Sequence, residues 1–509
     1  MPQNNRRVIY FFTLISHDWR MRKSFALLLA ATAIIGLTLG VANAAAPVVG
    51  KKCSKAGLSA KVAGDRFTCT KSGKKLIWKK VIPAVVKAVP SPSPTQTMDP
   101  APIIVAPSAP PEPTQTPKPS IFANQSALTR FISLAQAARA NATNKLPILD
   151  TSGAVTINQV AGQGLPLFVK ASTTDRFTFL GPTPLVETDP TRTGAVSQIT
   201  KDHRMVYQAR DDLPPWAVAF TISTTDSLGR FVVETSGMNG SRLPQYSWRL
   251  VYKTSTGPWM YQSIAGLSRP NDDAHHFDEV SLGAPGSFSI RLEFEATTSF
   301  YGIGLSDVTS TISTLTSNAS PRVAILGDSW VSPEFNETGP VHVWDAFTGA
   351  LTWITGWNVI SAGVAGQGYL QPARGGTETY KDRVVRDLVP QNPDVIIFTG
   401  SPNDPWGPGK FTDEQIAAEM GRDIKLVQEA NPDILIIVCS PFQTDPHQAS
   451  LMRKEAASLG VSIIDFATPA LFDENNNAQR QLVDGHPTRL GSAYIANEML
   501  KRIAGLKSK

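Results

Sequence analysis

Cysteine is scarce in this chain, with only three among 509 residues. That is too few for a disulfide scaffold, and no Cys-x-x-Cys pair or His/Cys cluster has the spacing of zinc ligands. Charged residues are also few, at 18%, whereas 42% of the residues are apolar. The chain can therefore bury a large core and is not a disordered polyampholyte. Neither a metal nor a cofactor is predicted.

Long apolar runs are almost absent as well. The exception covers residues 25–41, follows three basic residues and precedes Ala-Asn-Ala at 42–44. These features are typical of a secretory signal peptide, which we assign to residues 1–44, with Met21 as an alternative start. An uncleaved anchor is the other interpretation, because the run is at the short edge of the ~17–25 residues that span a bilayer. The protein is expected to be secreted or associated with the cell envelope.

The net charge of +6 arises at the front of the chain. Residues 1–50 carry +4 and residues 51–90 carry +10, which leaves −8 for all later residues. An acidic main body argues against nucleic-acid binding.

A small basic module is predicted at residues 45–81. Cys53 and Cys69 are expected to pair outside the cell, where closing such a loop stabilises a fold by about 3 kcal/mol. The segment resembles short cysteine-containing modules at the front of exported actinobacterial proteins. Residues 51–81 either contact an anionic cell wall through their lysines or form a solvated spacer. Residues 82–120 contain twelve prolines and are predicted to form an extended linker.

Residues 121–318 are predicted to form an accessory domain. Apolar residues at helical spacing indicate one amphipathic helix at 121–141. Short runs rich in Val, Thr, Phe and Tyr follow, a pattern typical of a β-sandwich or jelly-roll. In one run Ile290, Leu292 and Phe294 alternate with charged residues, which predicts a half-buried antiparallel strand.

Regular alternation of strands and helices begins at Arg322. It predicts an α/β domain over residues 319–509, with a parallel sheet covered by helices on both faces. The five predicted strands are RVAILG, WNVISAG, DVIIFTG, ILIIVCS and SIIDFA. Reactive groups of such sheets gather at the carboxyl ends of the strands.

Polar residues follow three of these strands and precede the last helix. Ser329 follows the first strand, a glycine-rich turn with Gly366 follows the second, and Asn403 follows the third. His486 lies in Asp-Gly-His-Pro-Thr before the last helix. A hydroxyl, a glycine turn, an amide and an imidazole are the groups that acyl transfer by a serine nucleophile requires.

The order Ser, Gly, Asn, His on a short α/β domain resembles the SGNH, or GDSL-type, hydrolase family. The match covers roughly residues 320–507 and all four family blocks, and it implies a flavodoxin-like sheet and ester hydrolysis. By this resemblance, Ser329 is the nucleophile and His486 is the base that accepts its proton. The backbone N–H groups of Ser329 and Gly366 and the side-chain amide of Asn403 form the oxyanion hole.

The sequence departs from the family pattern at two positions. The third block carries Ser401 where the family has glycine, and a local backbone adjustment is expected to preserve the role of Asn403. In the last block, Val483 stands where the family has its orienting aspartate, three residues before His486. Asp484 is the predicted orienting acid. The alternative is a backbone carbonyl and a Ser-His dyad, as in two-domain carbohydrate-esterase relatives.

Other roles for the same residues stay open. Ser329 fits a helix N-cap, Asn403 fits an Asx-turn, and Gly363 or Gly368 could replace Gly366. The aromatic residues beside the motifs line an acyl or sugar pocket or belong to the core: Trp330, Tyr369 and Trp406.

The predicted function is that of a secreted carboxylic-ester hydrolase. The β-rich segment ahead of the α/β domain resembles the jelly-roll of two-domain carbohydrate esterases, which favours deacylation, such as deacetylation, of a polysaccharide or glycoconjugate. Lipase, thioesterase and acyltransferase activities use the same residues and stay open. A non-catalytic envelope protein that binds glycan is the alternative from another class, although such a protein needs neither nucleophile nor base.

Overall fold

A computed structural model describes most of the chain after residue 58. The described residues are 59–62, 65–72, 75–80, 126–141, 146–162, 166–188, 193–197, 214–237, 245–262, 269–270, 274–315, 320–332, 342–373, 376–443, 446–471, 482–483 and 486–507. The predicted signal peptide at 1–44 and the predicted linker at 82–120 lie outside them. The chain divides into two compact units, 1–110 and 111–509. Within the described ranges, no helix is both long enough and apolar enough to cross a bilayer.

The described part of the first unit is a three-stranded antiparallel sheet. It consists of β1 (Ser59–Val62), β2 (Asp65–Ser72) and β3 (Lys75–Lys80), in that order. Cys69 of β2 is disulfide-bonded and lies opposite Trp78 of β3, and both side chains are buried. Its predicted partner, Cys53, is outside the described residues.

The second unit begins, after one helix, with a β-sandwich. Its strands are β4 (Ile148–Leu149), β5 (Thr156–Val160), β6 (Leu167–Lys170), β7 (Thr178–Leu180), β8 (Pro184–Thr188), β9 (Thr193–Ser197), β10 (Trp216–Thr224), β11 (Arg230–Ser236), β12 (Gln245–Tyr246), β13 (Trp248–Thr254), β14 (Met260–Tyr261), β15 (Arg269–Pro270), β16 (His276–Ser281), β17 (Gly286–Phe294), β18 (Ser299–Leu305) and β19 (Thr311–Thr314). One sheet has the order β19-β10-β17-β13-β14-β4, with β7 beside β10. The other has the order β5-β16-β11-β18-β9-β8, with β6 beside β18. The short strands β12 and β15 pair with each other.

Both sheets of the sandwich contribute inward-facing residues to one aromatic-rich core. Its largest fully buried side chains include Trp216, Trp248, Phe231, Phe294 and Phe300. Burying such rings is the main stabilising contribution to a sandwich of this kind. The predicted all-β region is confirmed.

The strand predicted to be half-buried is β17, and both of its faces are buried. Ile290 and Leu292 point into the sandwich core. Arg291 and Glu293, on the other face, are only 4% and 0% exposed. They contact the α/β domain, where Trp353 Nε1 donates to Glu293 Oε1 at 3.0 Å. The prediction was wrong because alternation reports the polarity of a face and not whether water or another domain covers it.

The α/β domain contains the parallel five-stranded sheet. Its strands are β20 (Arg322–Gly327), β21 (Asn358–Gly363), β22 (Val395–Thr399), β23 (Leu435–Cys439) and β24 (Ser462–Ile464). They are parallel and ordered β21-β20-β22-β23-β24, which is the flavodoxin-like order. Both the sheet and its predicted strand order are confirmed. A ligand site is expected at the carboxyl end of β20, where the strand order reverses.

Helices cover both faces of this sheet. They are α1 (Ala127–Ala140), α2 (Phe347–Thr355), α3 (Tyr380–Arg383), α4 (Asn403–Trp406), α5 (Asp413–Ala430), α6 (Pro446–Ser458) and α7 (Arg489–Ala504). A π-helical turn (Val384–Leu388) and a 3-10 turn (Val389–Gln391) follow α3. Helices α1, α2 and α7 pack on one face of the sheet, and α3, α5 and α6 pack on the other.

Helix α1 was predicted to belong to the accessory domain, but it packs against the α/β domain. Phe131 is fully buried, and its ring lies 4.8 Å from that of Trp357. Gln136 Nε2 donates to the carbonyl oxygen of Ala504, at the end of α7, at 3.1 Å. An amphipathic pattern shows that a helix needs an apolar partner, but it does not identify which domain provides one.

Candidate active site

Ser329 lies in a tight turn directly after β20. The carbonyl oxygen of Asp328 accepts the N–H of Val331 at 3.0 Å, and its carboxylate Oδ1 accepts the N–H of Trp330 at 2.9 Å. A Cβ on Gly327 would lie 2.2 Å from Val331 Cγ2, so glycine allows the turn to fold back onto the strand. The turn holds Ser329 at the carboxyl edge of the sheet.

His486 reaches Ser329 from the other end of the domain. It lies in β26 (His486–Pro487), which pairs with β25 (Leu482–Val483), and α7 begins shortly after it with Thr488 as its N-cap. His486 Nε2 is 2.8 Å from Ser329 Oγ, although the two residues are 157 positions apart. This distance allows direct proton transfer from the hydroxyl to the imidazole.

Asp484, the predicted orienting acid, lies outside the described residues. Its role, and the alternative of a backbone carbonyl, stay predictions.

Glycine is required for different structural reasons at the last position of β21 and at two positions of the loop that follows. A Cβ on Gly363 would lie 1.9 Å from the backbone nitrogen of Ser332, and one on Gly368 would lie 2.4 Å from Asp404 Oδ1. Gly366 instead has a left-handed backbone, with φ of +73°. Close packing therefore explains Gly363 and Gly368. The assignment of the Gly366 N–H to the oxyanion hole stays a prediction.

Asp404 holds the loop that follows these glycines. Its buried carboxylate accepts the backbone N–H groups of Tyr369, Leu370 and Gln371 at 3.0, 2.9 and 2.8 Å. Burial raises the pKa of Asp404, and the three hydrogen bonds oppose that rise. Asp404 was not among the residues predicted from the sequence, although its place in the Asn-Asp pair was an available signal.

Asn403 is the first residue of α4 and lies close to the Ser329 turn. Its Nδ2 is 3.1 Å from the carbonyl oxygen of Gln367 and 3.4 Å from Asp328 Oδ2. Both neighbours accept hydrogen bonds, so they fix which side of the amide carries the hydrogens. Burial raises the pKa of Asp328 to about 6, against the lowering effect of its hydrogen bonds from Ser401 and the Trp330 N–H. Asn403 is thus brought together with the first and second family blocks.

The three aromatic residues beside the motifs have different environments. Trp330 and Tyr369 are buried, and Trp330 stacks on Phe442 with ring centroids 5.5 Å apart. Trp406, one turn after Asn403, is 68% exposed. Only Trp406 of the three therefore presents its ring to solvent.

A series of side-chain contacts, most of them ionic, joins the β-sandwich to the segment that carries His486. Arg489, the first residue of α7, places Nη2 3.1 Å from Asp345 Oδ2 and Nη1 3.2 Å from the hydroxyl of Tyr261. Asp345 Oδ1 in turn lies 2.7 Å from Nη1 of the buried Arg249. Burial alone would lower the pKa of Arg249, but the carboxylates of Glu293 and Asp345 outweigh this effect, so its pKa is raised overall. These ionic contacts could not be predicted from the sequence, because the residues that form them are far apart along the chain and belong to no motif.

Within the part of the chain that the structure describes, no group of three His, Cys, Asp or Glu side chains is placed to hold a metal ion. The groups that are present suit a reaction that needs a nucleophile, a base and hydrogen-bond donors for a developing negative charge.

Several solved structures are similar to this chain. A family two carbohydrate esterase from Cellvibrio japonicus gives a TM-score of 0.46 at 13% identity, covering 69% of this chain and 99% of that protein. A salicylyl-acyltransferase from a tetracycline biosynthetic pathway gives 0.47 at 15% identity, covering 67% and 98%. An acetyl xylan esterase from Butyrivibrio proteoclasticus gives 0.46 at 11% identity, covering 67% and 98%. No curated protein sequence matches the chain.

The model of the GDSL-like lipase/acylhydrolase family matches residues 325–494. This segment includes Ser329, Gly366, Asn403 and His486, and it extends from β20 into α7. The α/β domain of this chain therefore matches the GDSL-like lipase/acylhydrolase family over most of its length and is an ester-hydrolase domain.

Proposed function

We propose that this protein is a secreted serine esterase that removes acyl groups, acetyl in the first instance, from a polysaccharide or glycoconjugate through an acyl-enzyme on Ser329. The observation that carries the proposal is the 2.8 Å contact between His486 Nε2 and Ser329 Oγ at the carboxyl edge of the sheet. A serine hydroxyl is a weak nucleophile until a base at this distance removes its proton.

The reaction follows from this geometry. Ser329 Oγ attacks the ester carbonyl carbon while its proton passes to His486 Nε2. The C–O bond to the alcohol then breaks, and the leaving oxygen takes the proton from His486. Water next attacks the acyl-serine and gives a proton to His486, which returns it to Ser329 Oγ as the free acid departs. The carbonyl oxygen carries negative charge in both tetrahedral intermediates, so hydrogen-bond donors must surround it.

The predicted donors for that oxygen come from three strand ends. They are the N–H groups of Ser329 and Gly366 and the amide of Asn403. The loss of one such donor typically lowers turnover by about 10²–10³-fold. Their convergence is supported by the hydrogen bonds that link Asp328, Gln367 and Asn403, each adjacent to or identical with a predicted donor.

A carbohydrate ester is favoured over a simple lipid ester by one exposed ring near the site and by two features elsewhere in the chain. Trp406, one turn from Asn403, offers an exposed ring on which a sugar can pack. The β-sandwich abuts the same domain through Arg249 and Asp345. Lys75 and Lys79 are exposed on one face of β3 in the basic module, where they could bind an anionic cell-wall polymer.

An ester panel tests the esterase proposal. Wild-type protein is expected to hydrolyse p-nitrophenyl acetate and to release acetate from acetylated xylan. It is expected to hydrolyse p-nitrophenyl octanoate more slowly than p-nitrophenyl acetate. Ser329→Ala and His486→Ala are each expected to lower kcat on the order of 10⁴-fold or more. Asp484→Ala is expected to lower kcat by less than His486→Ala but clearly below wild type, because the imidazole remains while its orienting acid is lost. Wild-type kcat in Asp484→Ala would favour the backbone carbonyl and a Ser-His dyad. Ser458→Ala, the same change on an exposed helix position, is the matched control and should retain wild-type kcat.

The outcomes separate this proposal from its alternatives. Faster hydrolysis of octanoyl than of acetyl esters would point to a lipase. Acyl transfer to a sugar in preference to water would point to an acyltransferase. A wild-type protein as inactive as Ser329→Ala on every ester would leave the glycan-binding alternative.

Export is tested on the full chain. When it is expressed in a Gram-positive bacterium, we expect the mature protein in the medium or cell wall, with an N-terminus directly after Ala44. N-terminal sequencing of the recovered protein measures this. An intact N-terminus in the membrane fraction would support an uncleaved anchor instead.

A further inference from the structure

Ser401 departs from the family pattern, and its hydroxyl lies at a junction of the site. The residue is fully buried and lies two positions after the end of β22. Its Oγ is 2.7 Å from Asp328 Oδ2, 2.8 Å from the carbonyl oxygen of Gln367 and 2.9 Å from Asn403 Nδ2. The backbone N–H of Asn403 also donates to it, at 3.1 Å. One oxygen atom therefore contacts three separate segments of the chain.

These contacts use the full hydrogen-bonding capacity of the hydroxyl. A serine Oγ has one hydrogen to donate and two lone pairs that accept. The two N–H groups of Asn403 occupy the lone pairs. The single hydrogen goes to Asp328 or to Gln367, both of which are acceptors. A buried group that is fully satisfied in this way holds its neighbours in one arrangement.

Each of the three segments carries one predicted oxyanion donor. Asp328 directly precedes Ser329, and its other carboxylate oxygen accepts the Trp330 N–H at 2.9 Å. Gln367 directly follows Gly366. Asn403 is itself the third predicted donor. The Ser401 hydroxyl thus joins the backbone on which all three donors are placed.

We propose that Ser401 is a positioning residue of the oxyanion hole, whose hydroxyl aligns the Ser329, Gly366 and Asn403 donors in this chain. This inference rests on the proposed esterase function. Asn403 Nδ2 lies 3.1 Å from the neutral carbonyl oxygen of Gln367. When the oxyanion forms, one hydrogen of this amide stays on Ser401 Oγ and the other turns from Gln367 to the oxyanion. A charged oxygen is the stronger acceptor, so the exchange is favourable in the intermediate.

A glycine at position 401 would remove this junction. Asp328 Oδ2 would lose its shortest hydrogen bond, and the two N–H groups of Asn403 would lose the acceptor that they share. Ser401→Gly therefore restores the family residue but is expected to impair this particular chain.

The test compares kcat and KM of full-length variants on p-nitrophenyl acetate. Ser401→Ala and Ser401→Gly are expected to lower kcat about tenfold or more, with KM within about twofold of wild type, because the loss concerns a charge that develops after substrate binding. The matched control is Ser440→Ala. Ser440 is also fully buried at a strand end, directly after β23, but its Oγ accepts the N–H of Phe466, away from the donors. Thermal unfolding of both alanine variants measures the structural cost of losing a buried serine.

The outcomes are distinct. A loss of kcat in Ser401→Ala that Ser440→Ala does not show, at similar unfolding temperatures, supports the positioning role. Equal kcat losses in the two variants, or wild-type kcat in Ser401→Gly, would overturn it while leaving the esterase function intact. If the wild type hydrolyses no ester and a fluorophosphonate does not label Ser329, the proposed function itself fails, and the positioning role fails with it.

Discussion

At the scale of single residues, Asp328 stands out because its ionisable carboxyl group is buried beside Ser329. Its carboxylate is 1% exposed and accepts hydrogen bonds from the Trp330 N–H and from Ser401 Oγ. Burial nevertheless dominates and raises its pKa to about 6. Asp328 therefore connects the turn of Ser329, the predicted nucleophile, to the third family block at a cost in stability that grows with pH.

Asp328→Asn is expected to change how stability depends on pH. Because the folded pKa is raised, the folded state holds the proton between about pH 4 and pH 6 whereas the unfolded state releases it, so wild-type stability falls as pH rises through this window. A pKa shift from the ordinary value near 4 to about 6 corresponds to a loss of about 3 kcal/mol in the free energy of unfolding between the two ends of this pH window. Denaturant unfolding at pH 4 and pH 7 measures the difference between wild type and variant. The same pH slope in both proteins would contradict the assignment.

At the scale of elements, the loop after β21 depends on close contact with α4. Asp404 in α4 accepts three consecutive backbone N–H groups of that loop, and it approaches so closely that position 368 has no room for a side chain. The short helix that begins with Asn403 is therefore tightly joined to the loop that contains Gly366.

Gly368→Ala tests this coupling. The added methyl would lie 2.4 Å from Asp404 Oδ1, so the loop must shift, and kcat on p-nitrophenyl acetate is expected to fall about tenfold or more. Gly376→Ala is the control, because its added carbon would meet nothing nearer than 3.5 Å. If both variants retain wild-type kcat, the Asp404 contact does not hold the loop in its active position.

At the scale of the whole molecule, the β-sandwich and the α/β domain share a buried ionic and aromatic interface. Arg249 contacts Glu293 at 2.6 Å within the sandwich and Asp345 at 2.7 Å across the interface. The guanidinium of Arg291 lies 4.2 Å from the ring centroids of both Trp344 and Trp353. The sandwich is therefore a structural partner of the catalytic domain, whatever else it binds.

Arg249→Met is expected to destabilise the protein strongly. The side chain is 2% exposed, and its removal takes one cation away from both Glu293 and Asp345, which keep only Arg291 and Arg489 as ionic partners. Breaking a buried ion pair typically costs about 3–5 kcal/mol. Arg230→Met is the matched control: its pair with Asp226 lies in the sandwich and is 39% exposed at the arginine, so the expected cost is about 0–1 kcal/mol. Calorimetric unfolding compares the two variants. Equal shifts in melting temperature would show that the interface pair contributes no more than a surface pair.

Local sequence patterns predicted the α/β sheet and the polar residues at its edge, whereas its flavodoxin-like strand order was implied by the family resemblance. This was possible because the strand and helix periods and the polar strand ends are set by near neighbours, and because parallel strands bring their carboxyl ends to one side. The same patterns misplaced α1 and the charged face of β17. Both errors concern which surface covers an element, and that depends on residues far along the chain.

The sequence by itself was sufficient to predict the fold class and to select Ser329, Asn403 and His486 as candidate site residues, since each stands in a recognisable local block. Only the tertiary structure decided that Ser401 joins the three segments that carry the predicted oxyanion donors, and that Asp345 links the sandwich to the segment carrying His486. These contacts depend on distances of a few ångströms between residues that folding brings together from distant positions. Hydrogen bonds and buried ion pairs form only at such distances, so spacing along the chain does not encode them in any local motif.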